Sequence, residues 1–288
     1  MLQRLCLLMI FGAVLSGCGR SPTPAQALTA VIQDTGGRPA QLISAFFGLD
    51  DALPRNSNRL CPGAAGQDGM PVIFSHTIDR DTLQKEDFLV ITQAYVEAVP
   101  FCVTLLPAIG VGELRTVLVV GQLGSASADV PVTVRIVGDL WSDGATGSRL
   151  NFRGSEVSVI PLDQGPTLVW AEDVPQADWS DRGLNAGTDC PEGTVQVVRA
   201  VWAGGIRLPT GEEVGDDERA LYRITVQQVD GTRVEVAPFA LADLDDNDNN
   251  HSLCIGVTGT ALSVSFPAGH VVDPNGDLNP NTEVAVMR

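Results

Sequence analysis

Val96-Glu97-Ala98-Val99-Pro100-Phe101 returns later in the chain as Val234-Glu235-Val236-Ala237-Pro238-Phe239. Each copy lies downstream of a Cys-Pro pair, Cys61-Pro62 and Cys190-Pro191. Two further blocks repeat in the same order. Val132, Val134, Ile136, Gly138, Leu140, Asp143 and Gly144 align with Leu262, Val264, Phe266, Gly269, Val271, Asp273 and Gly276. Glu156-Val157-Ser158-Val159 then aligns with Glu283-Val284-Ala285-Val286. β-Sandwiches draw on a small vocabulary of strands and turns, which is the competing explanation. Four blocks in one order favour a duplicated unit.

The blocks themselves read as short strands. Val72-Ile73-Phe74, Phe88-Leu89-Val90-Ile91, Cys102-Val103-Thr104-Leu105 and Val117-Leu118-Val119-Val120 are rich in β-branched and aromatic residues. Val132, Val134 and Ile136 alternate with Thr133 and Arg135, the period-2 pattern of a strand with one wet face. Gly, Pro, Asp and Asn punctuate these runs at strand-length intervals, and no long amphipathic helix interrupts them. The fold class is therefore all-β, two tandem β-sandwich domains. The boundaries read as 41–162 for the first domain, 163–189 for a linker and 190–288 for the second. The proline-rich spacing of Pro161, Pro166 and Pro175 marks the linker.

Ahead of the domains, Met1 to Arg4 is short and positive, Leu5 to Leu15 is nearly all apolar, and Leu15-Ser16-Gly17-Cys18 closes the run. That layout is an export signal whose apolar core is too short to span a bilayer as a helix. The closing tetrapeptide resembles the lipobox of bacterial lipoprotein precursors. The resemblance implies a signal peptide over 1–17, lipidation (including palmitate) at Cys18 and a tether over 18–40. It also implies attachment to the membrane through the lipid. Gly19 rather than Asp follows the cysteine, so the resemblance points to the outer membrane of the bacterial cell envelope.

The 288 residues carry 18 Lys and Arg against 35 Asp and Glu, a net charge of −17. Such a surface repels nucleic acid and anionic headgroups, so neither is an expected partner; a protein or glycan partner is left unidentified. Beyond the leader and anchor, the cysteines are Cys61, Cys102, Cys190 and Cys254. An even set in an oxidising compartment reads as disulfides, with three pairings open. The repeat favours 61–102 with 190–254, one bridge inside each copy.

Pro71-Val72-Ile73-Phe74-Ser75-His76-Thr77-Ile78-Asp79-Arg80-Asp81-Thr82-Leu83, followed by Asp87-Phe88-Leu89-Val90, resembles the opening of bacterial Ig-like domains of the S-layer-protein type. There a first strand ends in a polar turn around Asp and the next begins at the Asp-Phe position. The second copy departs from it, with Val201-Trp202-Ala203-Gly204-Gly205 in place of the Phe-Ser turn. The resemblance implies Ig-like sandwiches and a structural or binding module. It transfers no catalytic set.

Residue chemistry agrees with a non-enzymatic protein. His76, His251 and His270 are the only histidines, and no G-x-S-x-G, H-E-x-x-H or P-loop occurs. Ser75-His76 is not read as a catalytic pair, since neighbours along a strand point to opposite faces. Two acidic loops rise above the general background of carboxylates. Asp243, Asp245, Asn247 and Asp248 form one; Asp273, Asn275 and Asp277 form the other, around Gly276. Both offer hard oxygens of the kind Ca²⁺ takes, and both are also what turns are made of. No cofactor is required by any motif. Trp141, Trp170, Trp179 and Trp202 could stack on sugar if exposed, but core or inter-domain packing is the expectation. The function expected from sequence is a membrane-anchored lipoprotein acting as an adhesion-type structural or binding module, stabilised by calcium. The alternative is a glycan-active or other hydrolase on a β scaffold.

Overall fold

The computed structural model describes residues 38–145, 147–179, 189–242, 244 and 248–288. Cys18, the expected lipidation site, and residues 1–17, the expected signal peptide, lie outside them. Eight strands form the first domain: β1 (Leu42–Phe46), β2 (Asp68–Phe74), β3 (Phe88–Thr92), β4 (Glu97–Ala98), β5 (Cys102–Thr104), β6 (Thr116–Gly121), β7 (Pro131–Ile136) and β8 (Glu156–Ile160). Eight more form the second: β9 (Leu168–Asp173), β10 (Gln196–Trp202), β11 (Arg223–Gln227), β12 (Arg233–Val236), β13 (Ala240–Ala242), β14 (Asn250–Ile255), β15 (Thr260–Phe266) and β16 (Thr282–Met287). A single four-residue α-helix, Asp216–Arg219, occurs among the described residues.

Each domain is one curled sheet that folds over itself as two layers. The order is β4-β3-β7-β8-β1-β2-β6-β5 in the first and β12-β11-β15-β16-β9-β10-β14-β13 in the second. The parallel pairs β1–β8 (Ala45↔Val159) and β9–β16 (Val286↔Ala171) carry the sheet round from one layer to the other. This is immunoglobulin-like topology, an A-B-E-D layer facing a G-F-C-C′ layer. The two orders are the same eight-strand sequence. All four repeated blocks fall at equivalent places: β4/β12, β7/β15, β8/β16 and the connections carrying the Cys-Pro pairs.

Alternation explains the cores. Phe88 and Val90 of β3 and Val134 and Ile136 of β7 point inward to meet Val72 and Phe74 of β2 and Val117 and Val119 of β6. Val198, Ala200 and Trp202 meet Ile224, Val226, Val264 and Phe266 in the second domain. The first core closes on an edge-packed aromatic group, Phe74 against Phe88 and Phe152. At the matching position the second has Trp202, whose indole N–H donates to the Tyr222 hydroxyl at 2.8 Å, while Tyr222 and Trp202 both pack on Phe266.

The linker over 163–189 needs correction. Its residues 168–173 are β9, the strand at the centre of the second sheet, between β16 and β10. β9 hides from pattern reading because both of its faces are covered: Leu168 and Ala171 enter the second core, and Trp170 packs outward against the first domain. A strand buried on both sides loses the alternation that marks one with a wet face.

Both bridges form as the repeat favours, Cys61–Cys102 and Cys190–Cys254. Each ties the connection between the first two strands of its domain to a strand of the same layer, the edge strand β5 in the first domain and β14, the counterpart of its inner neighbour, in the second. They do so from different strands. Cys102 of β5 lies across from Val120 of β6, whereas Ala240 of β13 lies across from Cys254 of β14. The cysteine has moved one strand over at the same rung. With separations of 41 and 64 residues, each closure is worth about 4 kcal/mol in the chain-entropy account.

Candidate functional site

The densest buried polar chemistry lies where the two sandwiches meet. The outer faces of β1 and β2 pack on those of β9 and β10 through Ile73, Trp170 and Val201, with Ile43, Val169 and Met287 at the margin. A backbone meets a ring closely there: a Cβ on Gly204 would come within 2.7 Å of the Phe46 ring. Beside this contact, Glu172 of β9 accepts from Arg115 of the first domain at 2.7 Å and from Arg199 of β10 at 3.3 Å. The Trp170 indole N–H adds a third donor to Glu172 at 3.2 Å. Arg199 reaches back across the joint to the Val111 carbonyl at 2.6 Å. The guanidinium groups of Arg38 and Arg115 sit 4.7 and 4.9 Å from the Trp170 ring centre, in cation–π range. Burial pushes the Arg115 pKa down and the Glu172 carboxylate opposes that shift. Two arginines, one from each domain, thus share one largely buried carboxylate, so separating the domains breaks the Arg115–Glu172 pair.

The sequence-predicted metal residues separate. Asp243, Asp245 and Asn247 lie outside the described residues. Asp248 is buried, and its oxygens accept from the Asn250 backbone at 2.7 Å and side-chain amide at 2.9 Å. Asn249 in turn donates to the Trp202 carbonyl, so this segment anchors the start of β14 to β10. Asp273, Asn275 and Asp277 do come together: Asn275 donates to Asp277 at 2.7 Å, and Asp273 accepts from the Asp277 backbone at 2.9 Å.

A third carboxylate group was not legible in sequence. Asp50, Asp51 and Asp68 bring oxygens within 4.8 Å of one another. Asp68 is fully buried, and burial pushes its pKa up. Its oxygens accept from the Asp51 and Leu123 backbones at 2.7 Å each; Asp50 accepts from Ala126 and Asp51 from the Gln122 amide. These contacts clamp the β1–β2 and β6–β7 connections together. Only the β1–β2 pairing, which brings Leu49 beside Gly69, reveals the group.

The histidines and tryptophans also take definite places. Ser75 and His76 touch after all, hydroxyl to Nδ1 at 2.9 Å, because both lie in the bend beyond β2 rather than on the strand. The Ser75 hydroxyl is buried and engaged with the Pro39 carbonyl and the Gln41 amide, which ties down residues 39–41. Burial and the neighbouring Arg38 and Arg115 push the His76 pKa down. In the second core His251 receives the Tyr222 hydroxyl at 2.8 Å. Tyr222 already accepts from Trp202, so its own proton goes to Nδ1 and fixes His251 as the neutral Nε2–H tautomer. Trp202 is core and Trp170 is joint, as expected of large aromatics; Trp141 stacks under Arg149. Trp179 instead lines an open cleft of about 620 Å³ with Pro175, Thr194, Val195 and Gln196.

Among the described residues no helix is long and apolar enough to cross a membrane. The chain matches no protein-family model, and neither a curated protein nor a solved structure matches it.

Proposed function

We propose that the chain is a lipid-anchored protein of the bacterial envelope, held at the outer membrane through Cys18, whose two Ig-like sandwiches act together as a non-enzymatic structural or binding module. The observation that carries this reading is the buried joint around Glu172. Tandem domains that merely follow one another are connected by small, wet interfaces and move independently. Here a buried apolar contact, Ile73 with Val201 and Trp170, lies beside a largely buried ionic one, which supports a single stiff unit presented at a set distance from the membrane.

Two measurements test the two halves of the proposal. The protein with Cys18 intact should sediment with membranes and resist a high-salt wash, and Cys18→Ala should move it to the soluble fraction. Small-angle scattering of the soluble Cys18→Ala protein should give one narrow distribution of domain separation. A Cys18→Ala protein that still pellets sinks the anchor. A broad distribution of separations sinks the stiff module.

A further inference from the structure

The loop from Asp273 to Asn279 contains a carboxylate oxygen with nothing to bind. Val272 forms bridges to Arg207 on one side and Leu278 on the other, which folds the intervening residues into a closed turn against the second sandwich. Asp273 is 0 % exposed. Its Oδ1 accepts two backbone N–H groups, from Gly276 at 2.8 Å and Asp277 at 2.9 Å. Its Oδ2 is buried and has no partner. An unpaired buried carboxylate oxygen is costly, and native structures resolve such atoms with water, a proton or an ion. The guanidinium of Arg207, which reaches this loop, donates to the Pro274 carbonyl instead.

The rest of the loop supplies what a cation would need. Asn275 and Asp277 sit two and four residues on, touch each other through their side chains, and are open to solvent on their far side. Gly276, at φ +95°, makes the turn that lets the chain double back so that the Asp277 carbonyl meets the Asp273 amide. We propose that this loop binds one calcium ion, with Asp273 Oδ2 as its buried ligand and the side-chain oxygens of Asn275 and Asp277 beside it. Water fills the remaining positions on the exposed side. Calcium fits better than magnesium because its six to eight oxygens tolerate an irregular cage, whereas magnesium demands a near-ideal octahedron. Burial raises the Asp273 pKa, the cost of a charge that the ion would neutralise. The duplicated domain provides an internal comparison. Asp143 stands at the aligned position, is exposed, and simply accepts the Ala145 amide as an ordinary turn residue.

The experiment uses the soluble Cys18→Ala protein. Isothermal titration with CaCl₂ should show one site involving this loop, and the melting midpoint should rise by several degrees in 1 mM CaCl₂ over EGTA at constant ionic strength. In 1 mM MgCl₂ the rise should be much smaller. Asp273→Asn should abolish the rise; because it alters a buried group, Asp277→Asn, on the solvent side, should independently weaken calcium binding at least tenfold with an unchanged far-ultraviolet spectrum. Asp143→Asn should leave the calcium response intact. No heat and no midpoint shift in the parent overturns the proposal, as does a calcium shift that survives both Asp273→Asn and Asp277→Asn, which would put the ion elsewhere.

Discussion

At the scale of single residues, the most informative is His251, because its environment sets both its proton and its energetic effect. On β14, buried with its ring against Tyr222, it is pushed down by burial to about 4 from the ordinary 6.5. Above pH 6.5 the imidazole is neutral whether the chain is folded or not, so the neutral network contributes fully. As the pH falls through 6.5 the unfolded chain takes up a proton that the folded chain refuses until about 4. Stability is therefore lost across that window, at about 1.4 kcal/mol per unit. Between pH 7 and 4.5 the loss attributable to His251 is about 2–3 kcal/mol. Asp68, Asp87 and Asp273 oppose it, since raised carboxyl pKa values favour the folded state as the solution is acidified. The comparison must be made by difference. His251→Gln keeps an acceptor for Tyr222 and cannot titrate in this range. Urea denaturation at pH 7 and 4.5 should show the parent losing about 2–3 kcal/mol more than the variant. Equal losses would mean that His251 is protonated in the fold.

At the scale of elements, β9 decides how much of the architecture a sequence can reveal. Strands with one wet face, such as β3 and β7, declare themselves by alternation, and the repeated blocks mark equivalent strands in the two copies. β9 has neither advantage. If Leu168–Asp173 is the central strand, Ala171→Asp places an unpaired carboxylate between β10 and β16 and should cost more than 3 kcal/mol. Gln164→Asp, seven residues earlier in an exposed turn, should be close to neutral. Thermal denaturation of the two variants in the full chain measures both, and a well-tolerated Ala171→Asp would return this segment to a linker. The candidate sites fail to show in sequence for a related reason. Asp50 and Asp68 are separated by the whole β1–β2 connection, and the letters of Asp273 do not say which of its oxygens lacks a donor. Ser75 and His76 were read as strand neighbours on opposite faces, but β2 ends one residue before them. Residue types and strand pattern are local properties; partners depend on pairing that only the folded chain supplies.

At the scale of the whole molecule, the question is whether the two sandwiches behave as one. A largely buried ion pair need not add net stability, because desolvating Arg115, Arg199 and Glu172 offsets their attraction. Its effect lies in what happens when it is broken. Glu172→Gln leaves two buried guanidinium groups facing each other without a carboxylate, with Nε of both arginines and Nη1 of Arg115 already lacking partners. Loss of one member of such a group costs about 3–5 kcal/mol. That penalty falls on the joint rather than on either core, so it can be relieved by separating the domains. Calorimetry of the Cys18→Ala protein should therefore show one cooperative transition, and adding Glu172→Gln should resolve it into two. Replacing all three groups at once, Arg115→Met with Glu172→Met and Arg199→Met, removes the stranded charges and should restore much of the coupling through apolar contact with Trp170 and Val201. Because the pair is buried, raising the salt from 0.1 to 0.5 M should leave the single transition of the parent intact, whereas an exposed bridge would be screened. If Glu172→Gln melts in one step at the parent's midpoint, the joint does not couple the domains, and their common orientation must come from the apolar contacts alone.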